Sequence, residues 1–334
     1  MRALPFFALA LGLAPLYVQA QGLRVVADLP PVHALVAQVM GDTGSPTLLL
    51  DRGADPHNFA LRPSRAASLQ EADLVVWVGP EMTPWLARAL DGLSGRAGQL
   101  ALLDAPGTFR RAFGDTDAHD HEAHAPDDHA HDGHAHDDHA HDDHGAAGHD
   151  DHGDHSHEGT DPHAWLDPAN ALHWLDLIAA ELSSRDPANA ATYAANAAAA
   201  RAGIVALDAR IAADLAPVRS RPFVVFHDAY GYFAAHYGLS AAGSLALGDA
   251  AAPGAGHLQA LRAQLTSGGI VCAFPEAQHD PKLLQTLVEG TPVRLGSPLD
   301  PSGSSLEPGP GLYEALLSGL AQGLRDCLSD RDPT

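Results

Sequence analysis

The amino-acid sequence predicts an α/β protein of two lobes, each built on a mainly parallel sheet flanked by helices, with one long rigid helix joining them. Three observations carry this expectation. Short apolar runs alternate with stretches of helical period over residues 21–185, and the same alternation resumes over residues 219–334. Strands alternating with helices are the pattern of parallel sheets whose crossovers cover both faces. Between the two blocks, residues 186–218 are rich in Ala and read as a single helix.

In chain order, residues 1–20, MRALPFFALALGLAPLYVQA, place one basic residue before an apolar run and end on Val18-Gln19-Ala20. That is the order of a secretory signal peptide cleaved after Ala20. The run is too short for a membrane anchor and is interrupted by Pro5 and Pro15. The mature chain is therefore expected to be soluble and outside the cytoplasm. The apolar runs LRVVA (23–27), TLLL (47–50), DLVVWVG (73–79) and QLALL (99–103) read as buried strands, with helical PVHALVAQVM and RPSRAASLQEA between them. In the second block PFVVFH (222–227) and IVCAF (270–274) read as strands, and PVRL follows as another apolar run. AYGYFAAHYG, GHLQALRAQLTSGG and PKLLQTLVEG read as helical.

The connector begins with Asp186 as a helix cap and Pro187 at the first helical position, and Pro217 stops it. About thirty helical residues span about 45 Å, enough to run along both lobes. Gly203 is its weak point, at a cost of about 1 kcal/mol relative to Ala. The two cysteines, Cys272 and Cys327, read as a disulfide in an exported protein. Such a bridge contributes about 4 kcal/mol on the chain-entropy account.

Residues 115–158 break the pattern. They hold His119, His121, His124, His129, His131, His134, His136, His139, His141, His144, His149, His152, His155 and His157, mixed with acids and without apolar period. Burial cannot offset the entropy of ordering such a segment, so it reads as a disordered surface insert that binds several ions weakly. It carries 15 of the acids and no Lys or Arg, which leaves −8 of the formal charge of −23 on the rest of the chain. Phosphate binding needs a basic face, so this acidic balance disfavours nucleic acid as a partner.

Eight histidines lie outside this tract. His57, in GADPHNFALRPS, falls between a strand and a helix with its cap near Ser64. His163, in TDPHAWLDP, stands just before a helix, and His227 closes the strand PFVVFH. In open α/β sheets ligands bind beyond the carboxyl ends of the strands. Asp300 follows PVRL and can reach the same crevice, and Glu276 follows IVCAF by one proline. Imidazoles converging from separate loops, with or without a carboxylate, suit Zn²⁺, whereas Mg, Ca or Mn favour oxygen-rich sites. His257 reads as an N-terminal helix residue, and His33, His173 and His236 read as packed or solvated. So does His279, although it is three residues after Glu276 and able to face the cleft.

The segments GADPHNFALRPSRAASLQEADLVVWVGPEMTPWL, HAWLDP, RPFVVFHDAYGYF and CAFPEAQ closely resemble the periplasmic zinc-binding proteins of bacterial zinc-uptake ABC transporters. The resemblance covers nearly the whole mature chain. It implies a metal cleft between the lobes in which His57, His163 and His227 hold the transported Zn²⁺. A glutamate ligand that some members carry just before the first histidine is replaced here by Pro56, so the fourth position falls to Asp300 or to water. The third imidazole, His227, stands where manganese-type members have Glu, which favours zinc. Glu276, Asp161 and Asp228 are candidates to orient the ligands, and a Cys272–Cys327 bridge and a His/Asp-rich insert match family traits. The implied partners are an inner-membrane ABC permease and its cytoplasmic ATPase, served by a monomer.

Two other classes compete. A zinc hydrolase also uses three imidazoles and an open position, but no HExxH occurs and the general base would have to be Glu276 or Asp300. A metal-buffering surface protein would place the working part in residues 115–158.

Overall fold

In the computed structural model, which describes residues 22–57, 59–93, 97–113, 159–246 and 253–329, the two blocks form two four-stranded parallel sheets. The signal segment 1–20 and the His-rich tract 115–158 lie outside the described residues. The first sheet has strands β1 (Val25–Ala27), β2 (Thr47–Leu48), β3 (Leu74–Trp77) and β4 (Gly98–Ala101), in the order β2-β1-β3-β4. Its crossovers include α1 (Pro30–Met40), α2 (Pro63–Glu71) and α3 (Pro84–Leu93). A short antiparallel ribbon, β5 (Arg111–Ala112) and β6 (Thr160–Asp161), brings together the two sides of the His-rich tract. Then come α4 (Pro168–Arg185) and α5 (Ala190–Leu215).

The second sheet has β7 (Phe223–His227), β8 (Ala241–Ala246), β9 (Cys272–Phe274) and β10 (Arg294–Leu295), in the order β10-β9-β7-β8. Helices α6 (Gly231–Tyr237), α7 (Ala255–Thr266) and α8 (Lys282–Val288) connect these strands, and α9 (Leu312–Leu328) closes the described chain. The edge strand β8 escapes a reading by apolar pattern, because AAGSLA is made of small residues with a single Leu. Local chemistry sets several starts. Proline stands at the first turn of α1, α2 and α4, where its missing N–H costs nothing. Asp167 caps α4 by accepting from the Ala169 amide. Helix α2 begins at Pro63 with Arg62 at the cap position and no side-chain cap bond, so Ser64 is not its cap.

The connector follows a helical path from 187 to 218, as a 3₁₀ turn (Pro187–Asn189), α5 and a second 3₁₀ turn (Ala216–Val218). Asp186 accepts from the Asn189 side chain and the Tyr193 hydroxyl, thereby tying the first turn to α5. Gly203 is exposed in mid-helix, and a Cβ added there meets nothing within 4 Å. Gly203→Ala is therefore expected to raise stability by about 0.5–1 kcal/mol, read as a higher urea midpoint at unchanged slope.

Each sheet packs a cluster of its own on one face, around Val26, Val75 and Trp77 in the first and Val224, Leu245 and Ala273 in the second, and the two share a core on the other. One apolar cluster runs from Val25 and Leu35 through Trp165, Trp174, Tyr193 and Ile211 to Phe223, Phe233, Tyr313 and Leu320. Helix α9 turns back from the second sheet to pack on α1 and α5. The disulfide Cys272–Cys327 ties the last turn of α9 to β9. Hydrogen bonds cross in the same region: Trp165 Nε1 donates to the Pro301 carbonyl and the Tyr313 hydroxyl to the Trp165 carbonyl, each at 2.8 Å. A continuous core with polar cross-ties fixes how the two sheet edges face each other.

His236 on α6 adds a charged tie. Its Nδ1 lies 2.9 Å from Asp167 at the start of α4, and its Nε2 lies 2.9 Å from Asp208 on α5. Burial alone would lower the imidazole pKa, but the two carboxylates override it and push it up to about 9. A folded pKa raised above the unfolded value of about 6.5 gives stability that is full below that pH and lost as pH rises through about 9. Allowing for solvent screening, about 2 kcal/mol is at stake. The urea midpoint of the metal-free protein is expected to fall between about pH 6.5 and about pH 9.5, and His236→Gln to remove this component of the fall.

Candidate metal centre

Both sheets reverse their winding direction, and in the second the reversal falls beside a strand end that the site uses. From β7 the chain crosses to β8 on one side and later returns to β9 on the other, which opens a crevice at the carboxyl ends of β7 and β9. His227 is the last residue of β7, and Glu276 comes two residues after the end of β9. In the first sheet the equivalent place lies between β1 and β3. There Asp28 accepts from the Val78 amide at 3.0 Å and the Leu29 amide at 2.8 Å, closing the strand ends with its carboxylate. Burial pushes the Asp28 pKa up to about 7.

His57 arrives on the loop between β2 and α2. The loop is pinned where Trp85 Nε1 donates to the Pro56 carbonyl at 2.8 Å, and the Asp55 carboxylate accepts from the His57 amide at 2.9 Å. His163 follows β6. Asp161 is the hinge of this placement, because its Oδ1 accepts from both the His163 amide (2.9 Å) and the His163 ring Nδ1 (2.8 Å). His163 and Asp161 are both almost fully buried. Burial raises the Asp161 pKa to about 7, against the pull of the His163 amide, His227 and Arg111. Arg111, buried on β5, had no signal in the sequence that set it apart from any strand arginine.

The three imidazoles converge. Ring centroids stand 5.4 Å apart for His57 and His163, 5.3 Å for His163 and His227, and 6.0 Å for His57 and His227. One nitrogen of each lies within 4.8 Å of the others. The tautomers follow from the partners. His163 gives its Nδ1–H to Asp161, and His227 gives its Nδ1–H to Glu276. Each Nε2 therefore carries a lone pair, and these two face each other at 3.4 Å. Two lone pairs at that distance repel unless a cation lies between them. Ligand nitrogens on a tetrahedral zinc, bonded at 2.0–2.1 Å, stand about 3.4 Å apart. His57 is held well below the ordinary imidazole range by burial first and then by His163 and His227. It too presents a neutral ring.

The other expected site residues fall in different places. Glu276 is buried and bonded to His227. Asp300 is not brought into the cluster. Its Oδ1 accepts from Gln278 at 2.9 Å and the Ser304 amide at 3.1 Å, and its Oδ2 accepts from the Ser305 amide at 2.8 Å. As placed, it organises the loop after β10 and would have to give up a hydrogen bond to serve as a ligand. Asp228 lines a neighbouring cavity of about 640 Å³ with Arg111 and Asp161. Tyr230, buried near Glu276 and Asp300, has its phenol pKa raised well above the usual value, by burial first. Its hydroxyl has no protein partner among the described residues. His33, His173 and His257 each place Nε2 on a backbone carbonyl, that of Pro46, Pro106 and Ser244. His279 stands closer to the site than its position in the sequence suggests: its ring nitrogen, one of His227 and a Glu276 carboxylate oxygen form a second group within 4.8 Å of one another.

The family described as "Zinc-uptake complex component A periplasmic" matches residues 25–327. The chain is 59% identical over 321 residues to "High-affinity zinc uptake system protein ZnuA" of Paracoccus denitrificans (strain Pd 1222), covering 96% of each chain. It is 45% identical over 308 residues to the protein of that name from Brucella suis biovar 1 (strain 1330), covering 91% of each. A crystal structure of a ZnuA deletion mutant (138-173) with zinc bound has the same fold, with a TM-score of 0.72 at 21% identity, covering 93% of this chain and all (100%) of that one.

Proposed function

The chain belongs to the family of periplasmic zinc-uptake component A, and from that premise we propose that His57, His163 and His227 hold the zinc ion it carries. The protein is the periplasmic zinc-binding, substrate-binding component of a zinc uptake system. The single observation that supports this ligand set is the pair of Nε2 lone pairs facing each other at 3.4 Å, each fixed by a carboxylate on the opposite ring nitrogen. Such carboxylate–histidine pairs raise ligand basicity and orient the ring. A water molecule fills the fourth position, while Asp300 keeps its loop in shape.

In this reading zinc is cargo and no substrate chemistry follows. The lobes divide as residues 21–185 and 219–334, with 186–218 as the connector, and the chain works as a monomer. Residues 1–20 direct export, and among the described residues no helix is long and apolar enough to cross a membrane. An inner-membrane ABC permease with its cytoplasmic ATPase receives the ion. The tract 115–158 collects or buffers zinc beside the cleft.

Metal binding to histidine competes with protons, so affinity is expected to fall as pH drops below about 6.5. The position of His57 refines this. A ring already held neutral has no proton to release, so zinc binding liberates fewer protons than three ordinary imidazoles would. Titrating the protein with zinc against a competing chelator at about pH 7.5 and about pH 5 tests both points. Equal affinities at the two pH values would count against a three-imidazole site.

A further inference from the structure

The second group of ligand atoms comes from one short turn. Glu276 is bridged in parallel to Leu299, and the His279 amide donates to the Glu276 carbonyl at 3.3 Å. This closes a turn that sets side chains 276 and 279 beside each other. The His279 ring is held against Phe226, with centroids 4.4 Å apart and planes 14° from parallel. Phe226 directly precedes His227 on β7. Glu276 uses its two oxygens differently: Oε2 accepts from His227, and Oε1 faces His279 Nε2 at 3.6 Å.

That distance is too long for a hydrogen bond, which needs about 2.7–3.2 Å. It is close to the separation of about 3.4 Å between nitrogen and oxygen on one tetrahedral zinc. The His279 side chain is 33% exposed, whereas Glu276 and His227 are both buried, so His279 is the member of the group open to solvent. His279 and His227 ring centroids lie 6.2 Å apart.

We propose that Glu276 Oε1 and His279 Nε2 form a second zinc position at the outer side of the cleft, completed by water. An ion held there sits one ligand exchange away from His227. This rests on the reading that His57, His163 and His227 hold the transported ion. With only two protein ligands the outer position is the weaker, suited to capture and not to retention.

The test uses the full mature chain with ¹⁵N-labelled histidine rings, titrated with Zn²⁺ alone and followed by NMR. His279 is assigned by its loss in His279→Gln. The rings of His57, His163 and His227 are expected to move to metal-bound shifts with the tightest zinc, and the His279 ring to follow as zinc is added in excess. Glu276→Gln should abolish the His279 shift, and since Glu276 also holds His227, the rate of capture is read separately in His279→Gln. There the association rate for zinc is expected to fall on the order of tenfold with little change in final affinity. A His279 ring unmoved by excess zinc, while the three cleft rings respond, overturns the outer position and leaves the proposed cargo site standing. An unchanged association rate overturns the capture role. Cleft rings that do not move overturn the cargo site itself.

Discussion

Replacing His227 by alanine is expected to weaken zinc binding by more than about 100-fold, because altering only the groups behind a ligand already costs about 10–100-fold. His227 closes β7 at the point where the second sheet reverses direction, and its Nε2 lies opposite His163 Nε2. Removing it also leaves Glu276, which is almost fully buried, without the ring N–H it accepts. His163→Ala is expected to cost as much, since that ring sits equally deep and is bonded at both its amide and Nδ1 to one carboxylate. His57→Ala removes the third imidazole, which comes from the more open β2–α2 loop. Competition titration against a zinc chelator reads the affinity, and far-ultraviolet circular dichroism checks that the fold survives. Unchanged affinity in the His227 variant would show that zinc is held elsewhere.

The second large effect is expected from the carboxylates that aim the rings. Asp161→Asn and Glu276→Gln keep the size of each side chain but end its role as a charged acceptor, and each should lower zinc affinity about 10–100-fold. The two differ in what else they disturb. The Asp161 carboxylate also accepts from the His163 amide, so its variant weakens the backbone tie that places His163 as well as the bond to its ring. The Glu276 carboxylate accepts from a ligand ring and faces His279, and its carbonyl bond to the His279 amide is independent of the side chain, so its variant should leave the urea midpoint nearly unchanged. Affinities that stay within a factor of two of the parent would mean that the rings are oriented by packing alone.

Much of this was legible before any coordinates. Runs such as VVA and LVVW are buried on both faces, and two-sided burial leaves the unbroken apolar signature of a parallel strand. His57 and His227 were marked by their place beyond strand ends, and His163 by its place before a helix. The chain then brings the three together by tertiary packing that no local pattern encodes. What the sequence hid has physical reasons. β8 is built of small residues and lacks the branched side chains that announce a strand. The β5–β6 ribbon pairs segments separated by the whole His-rich tract. Asp300 looked like a ligand because an acid at that position can reach the crevice. Whether its oxygens are already taken depends on the turn that brings the Ser304 and Ser305 amides to it. His279 looked ordinary because its nearness to Glu276 and Phe226 is a product of the turn and of the neighbouring strand.

The tract 115–158 holds most of the histidines, yet the geometry that suits a tightly held ion belongs to three isolated ones. The most direct measurement is an anomalous-scattering map at the zinc absorption edge, from crystals of the full mature chain loaded with one equivalent of zinc. The account predicts a single dominant peak about 2.0–2.1 Å from one ring nitrogen each of His57, His163 and His227. A cleft without such a peak, with zinc found only outside it, would contradict it.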